Sequence, residues 1–152
     1  MKTLSAHECV AALIERYAPA TVLVIGDPAV MPEAAAQSCR LPVADAPAQL
    51  AGLGRFDFAV ASELAETLEP AAAEALLGRL KNLHTDKFVL LVDPADSRLG
   101  HDALLALALA PFEHLDDGRV AWRYDIDLYN PERHWNNPED WANPQNFEKF
   151  RW

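Results

Sequence analysis

Thr21-Val22-Leu23-Val24-Ile25-Gly26-Asp27-Pro28 decides how this chain is read. The first five residues are a continuous apolar, β-branched run, the pattern of a strand buried on both faces. Gly26 closes it. Open α/β proteins that hold phosphates or carboxylates usually place two or three glycines after such a strand, so that backbone N–H groups can approach the anion. This chain has one glycine and a proline. The strand points to an architecture, and the loop leaves the ligand in question.

Upstream, Ser5 and Glu8 form a Ser-x-x-Glu capping box. Val10, Leu13, Ile14 and Tyr17 then fall on one helical face, and Pro19 ends the helix. Downstream, Pro32–Ser38 reads as a short helix with proline in its first turn, and Leu41–Asp45 as a weak strand. Ala48–Leu53 suggests a helical turn. Phe56–Ala61 reads as a strand with Asp57 near its start, and Ser62–Leu68 as a helical turn. Pro70–Leu83 reads as a helix with Leu76, Leu77, Leu80 and Leu83 on its apolar face. Lys87–Val92 is a second continuous apolar strand. Asp102–Ala110 reads as an apolar helix stopped by Pro111. Phe112–Leu115 and Arg119–Ile126 flank Asp116-Asp117-Gly118, a hairpin signal. Alternating strands and helices with a terminal hairpin predict an α/β, Rossmann-like three-layer sandwich. Its sheet is mostly parallel, with a C-terminal antiparallel hairpin.

The bulk properties narrow the function. A chain of 152 residues is read as one domain with a sizeable core. The net charge of −10 argues against direct contact with nucleic acid, whose phosphates need a basic surface. It suits a basic protein partner. Cys9 and Cys39 do not make a disulfide framework, so a reduced, cytoplasmic chain is expected. The first residues lack an apolar signal core. The longest apolar stretch, Ala103–Phe112, is too short to cross a bilayer, so no membrane role is expected.

From Tyr129 the texture changes. Tyr129, Trp135, Trp141 and Phe147 recur every six residues, and Asn-Pro occurs at Asn130-Pro131, Asn137-Pro138 and Asn143-Pro144. Proline at that density forbids a continuous helix and favours turns. The segment is too aromatic for a disordered tail. Residues 129–152 are therefore expected to wrap across a body formed by residues 1–128. Aromatic side chains also dominate interface hot spots, so the same segment is a candidate surface for a protein partner.

The order Val43-Ala44-Asp45-Ala46, Phe56–Leu64, Leu76–Leu83 and Lys87–Pro94 resembles the second half of class I S-adenosylmethionine-dependent methyltransferases. In that family a similar Ala-Asp-Ala precedes a Phe-Asp-x-x-x-Ala strand, followed by a helix and a Leu-Leu-Val-rich strand. Phe112–Asp127 looks like the antiparallel last strands of that fold. The resemblance covers roughly Thr21–Asp127, carried by order and spacing rather than by one motif. It implies a cofactor site of Gly26, Asp27 and Asp45, with Ser62 and Glu63 towards the substrate. Two departures point the other way. The glycine-rich loop is reduced to Gly26, and only 30 residues separate Gly26 from Phe56, where the family fits two helices and two strands. The strand whose terminal carboxylate holds the cofactor ribose is expected to be missing. The ending, with Tyr129-Asn130-Pro131, Trp135-Asn136-Asn137-Pro138 and Phe147–Trp152, looks like a small bacterial family of short chains without an assigned activity.

Each candidate also has a structural explanation. Gly26 and Asp27 fit a tight strand-to-helix turn. Glu63 and Glu66 suit a solvated first helical turn, although a buried carboxylate there could serve as a base. Asp93 and Asp96 end the strongest strand and, with Asp27, Asp45 and Glu63, could form an acidic rim. The five histidines and two cysteines show no zinc-like spacing, so no metal is expected. No pattern points to a nucleophile, and no catalytic residue is assigned. The expected molecule is a degenerate methyltransferase-like module that binds protein and carries no cofactor. The alternative is a small, atypical S-adenosylmethionine-dependent methyltransferase.

Overall fold

A computed structural model describes residues 3–27 and 37–129. Six strands form one sheet: β1 (Thr21–Ile25), β2 (Gln37–Leu41), β3 (Phe58–Ser62), β4 (Lys87–Val92), β5 (Ala110–His114) and β6 (Val120–Asp125). Their order is β2-β1-β3-β4-β6-β5. The first four are parallel, and β6 runs antiparallel to both β4 and β5. The carboxyl ends of β1 to β4 thus share one edge with the start of β6. The order reverses between β1 and β3, which makes that edge a topological switch point. This is the mixed α/β architecture expected from the strand pattern, mostly parallel with an antiparallel hairpin.

The strands alternate their side chains between two cores, as a pleated sheet requires. Leu23, Ile25, Ala59, Ala61, Phe88 and Leu90 face one side, under α2 (Ala46–Gln49), α4 (Pro70–Arg79) and α5 (His101–Ala106). Val22, Val24, Phe58, Val60, Val89 and Leu91 face the other, under α1 (Ala6–Tyr17). Ser5 caps α1 through its side-chain oxygen, which accepts from the N–H of Glu8 at 3.1 Å. Ala18, in the left-handed region, ends the helix. Cys9 and Cys39 are separate free thiols.

Several expectations shift. β2 lies four residues earlier than read, and Gln37 and Ser38 belong to it rather than to a helix. It pairs with β1, so the position beside β1 that the shortened spacing left vacant is filled. Compared with the six-strand order 3-2-1-4-5-6, a further strand outside β2 is lacking among the described residues. β3 begins two residues late, and Ser62 is its last residue rather than the start of the following turn, α3 (Leu64–Thr67). The helix after β4 ends at Ala106. Ala108, with φ 67°, turns the chain, and Pro111 lies within edge strand β5, where a proline removes no needed donor. Leu83 is 59% exposed rather than packed. From Leu80 the helix widens into a π turn, closed by the Thr85 N–H on the Leu80 carbonyl. The extra residue in that turn swings Leu83 outward and His84 inward. A short α6 (Ile126–Tyr129) follows β6. The expected clasp by residues 130–152 lies outside the described residues. Among the described residues no helix is long and apolar enough to cross a membrane.

Candidate functional site

The switch-point edge gathers most of the residues singled out in the sequence. Gly26 has φ 100°, a left-handed conformation that favours glycine. A second constraint is closer. A Cβ at Gly26 would lie 2.2 Å from the Ser62 carbonyl oxygen and 2.7 Å from its Oγ. The ends of β1 and β3 therefore touch, and Gly26 is the residue that lets them.

The donors of this loop are accounted for one by one. The Gly26 N–H donates to the Leu41 carbonyl at 3.0 Å, tying β1 to β2. The Asp27 N–H donates to Ser62 Oγ at 2.9 Å, tying β1 to β3. Pro28 has no N–H. Three consecutive positions after the strand thus offer an anion no free backbone donor. Ser62 is fully buried, and its hydroxyl is committed to this tie. Its neighbour Glu63 is exposed, with φ 64°.

Asp45 stands apart. The chain leaves β2 at Leu41-Pro42 and reaches Asp45 only after a turn, in which the Asp45 N–H donates to the Pro42 carbonyl at 3.1 Å. Asp45 is exposed at the start of α2, and its side chain makes no capping bond. The residues directly after β2, Pro42-Val43-Ala44, carry no carboxylate. Asp93 turns inward on its own loop, accepting from the Ala95 N–H at 3.0 Å. The acidic residues do not converge: among the described residues no group of three or more His, Cys, Asp or Glu side chains could hold a metal ion.

Two further groups complete the edge. Glu66 Oε1 accepts from the Asp93 N–H and joins α3 to the end of β4, while Oε2 is buried without a partner among the described residues. Arg119, at the start of β6, was not singled out by the sequence reading. The Asp-Asp-Gly hairpin signal does place it at the sheet edge. Its Nε and Nη2 hold Asp117 Oδ2 at 2.9 and 2.7 Å. That bond keeps the Asp117 carboxyl below its usual range. It also raises the Arg119 pKa, assisted by the charges of Asp27 and Glu66. Arg119 is the cation that balances this acidic edge.

At this edge the described backbone donors, those of Gly26 and Asp27, are bonded to β2 and β3, and Ser62 packs against Gly26.

The comparisons with known proteins agree with the fold and add a family. The profile of DUF6231, a family of unknown function, matches residues 4–152. The chain belongs to DUF6231. No curated protein matches the sequence. Among solved structures, the methyltransferase domain of bacterial CtHen1 is similar at 9% identity, with 78% of this chain and 96% of that one covered and a TM-score of 0.50. The N-terminal domain of EvdMO1, solved with SAH and D-fucose, aligns at 13% identity, 85% and 74% coverage and a TM-score of 0.44. LepI in complex with SAM aligns at 14% identity, 80% and 42% coverage and a TM-score of 0.45. The DUF6231 chain has a methyltransferase-like fold.

Proposed function

We propose that this DUF6231 chain is a non-catalytic methyltransferase-like module that works by binding a basic protein partner. One observation carries the reading. The three backbone positions after β1 have no N–H left for a ligand, because Leu41 and Ser62 take two and Pro28 lacks the third. The same atoms that would cradle a cofactor here hold three strands together. The net charge of −10 suits a cationic partner surface, and such a complex weakens as salt rises. The aromatic segment 129–152 supplies side chains suited to an interface.

Titration calorimetry with S-adenosylmethionine and S-adenosylhomocysteine tests the first half. No heat of binding at millimolar ligand is expected. Micromolar binding that Asp45→Ala abolishes overturns the proposal and establishes the alternative, an atypical methyltransferase. The alternative draws on the switch-point edge itself and on the unpartnered Glu66 Oε2 beside it. The second half is tested by comparing the full chain with one ending at Leu128. A partner that binds both equally, or equally at low and high salt, contradicts the proposed surface.

A further inference from the structure

A cavity of about 650 Å³ lies beyond β4, away from the loop after β1. It lies between α5 and its preceding loop on one side and the β5–β6 hairpin on the other. It is a cleft open to solvent on one side, of the size in which small ligands bind. Val92, Leu99, Leu104, Val120 and Trp122 supply its apolar surface. Trp122 and His101, edge-on at 5.1 Å between centroids, place two rings in the wall against which a planar guest can pack.

The charge of the wall is unlike that of the protein. The chain has 23 acidic residues against 13 Lys and Arg, yet none of the lining residues is Asp or Glu. The polar groups at the cavity are Arg98, His101, His114 and Ser97. Ser97 is occupied: its hydroxyl donates to the Leu99 carbonyl at 2.9 Å and accepts from the Leu99 N–H at 3.1 Å. Arg98 has one bond, from Nη1 to Glu69 Oε1 at 2.8 Å, which leaves most of its five donors for a guest. Its backbone is fixed by the Arg98 N–H on the Ala65 carbonyl at 2.8 Å, and the Glu69 bond orients the guanidinium. His101 and His114 have no hydrogen-bond partner among the described residues.

We propose that this cavity binds a small planar aromatic carboxylate, with its ring against Trp122 and its carboxylate toward Arg98. The aromatic wall accounts for the ring, and the absence of lining carboxylates accounts for the anion. This site shares no residue with the loop after β1 and is independent of whether that loop holds a cofactor.

The test is an NMR titration of the full chain with naphthoate and with neutral naphthylmethanol. Saturable shifts at the Trp122 indole N–H and the α5 amides are expected, with naphthoate binding about tenfold more tightly than the alcohol, the margin of one charged hydrogen bond. Arg98→Gln should erase that margin while leaving alcohol binding intact. Gly100→Phe should abolish both. Gly100 lines the cavity at φ −81°, and an added Cβ meets nothing within 4 Å, so a large side chain is accepted at the rim without straining the backbone. The proposal is overturned by no shifts at millimolar naphthoate, by shifts that map elsewhere, by equal affinity for acid and alcohol, or by unaltered binding to a folded Gly100→Phe variant.

Discussion

Gly26 shows how a ligand-loop glycine can serve a different end. Its φ of 100° and the 2.2 Å approach to the Ser62 carbonyl are both incompatible with a side chain. Gly26→Ala is expected to cost about 3 kcal/mol or more, combining backbone strain with a clash against main chain. Urea unfolding measures it, and a loss under about 1 kcal/mol would show that the two strand ends can part. That a glycine follows β1 was legible in the sequence. That it packs against Ser62 was not, because the contact joins positions far apart in the chain. Tyr17 offers a second residue-scale test. Its hydroxyl donates to Asp125 Oδ2 at 2.7 Å, and burial followed by this bond pushes the phenol from 10 up to about 12. Below pH 10 the folded and unfolded chains both keep the proton, and the contribution is complete. As pH rises from 10 to about 12 the unfolded tyrosine ionises first, so stability falls. Tyr17→Phe should lose stability less steeply than the wild type across that window; parallel curves would mean the bond contributes no linkage.

Elements were legible where periodicity and burial agreed. β1 and β4 have the bounds their apolar runs predicted, because both are central and buried on two faces. β2 was misplaced for the opposite reason. It is an edge strand whose exposed Ser38 and Arg40 alternate with the more buried Cys39 and Leu41. That period-two signal was present, but the alanine-rich run before it reads as helix. The π turn was also invisible, since a 3.6-residue period carries straight through Leu83. The turn makes a paired prediction. Leu80→Ala should cost about 2–5 kcal/mol as a buried leucine, whereas Leu83→Glu should change stability by less than about 0.5 kcal/mol. Equal losses by thermal melting would mean that Leu83 packs inward in solution.

At the scale of the whole molecule, the class of fold was carried by the order of elements, and the candidate site only by its chain positions. Gly26, Asp27 and Ser62 do meet, but as a strand-to-strand fastening, while Asp45 lies exposed at the start of α2. No local pattern distinguishes a donor offered to a ligand from one consumed by a neighbouring strand; that depends on the tertiary contact. The C-terminal segment is a prediction of the same scale. A chain ending at Leu128 is expected to lose several kcal/mol, since each well-buried aromatic side chain contributes roughly 1.5–3 kcal/mol. An unchanged melting temperature would make residues 129–152 a free partner-binding segment instead.

Near the amino terminus Leu4 forms a bridge with Leu115, and its carbonyl accepts from the Asp116 N–H at 2.9 Å. The last strand of the sheet, β6, also lies beside central β4. The first described residues thus close onto a hairpin that the ribosome synthesises more than a hundred residues later. Such distant closures slow folding, since the entropy of a long loop is lost before any contact is gained. A nascent chain still short of Arg119 has α1 to α5 but neither its hairpin nor its sheet closure. Its apolar β4 edge is then bare. The sheet is therefore completed only once the β5–β6 hairpin has been made, and the interval before that is when chaperones and misassembly compete for the chain.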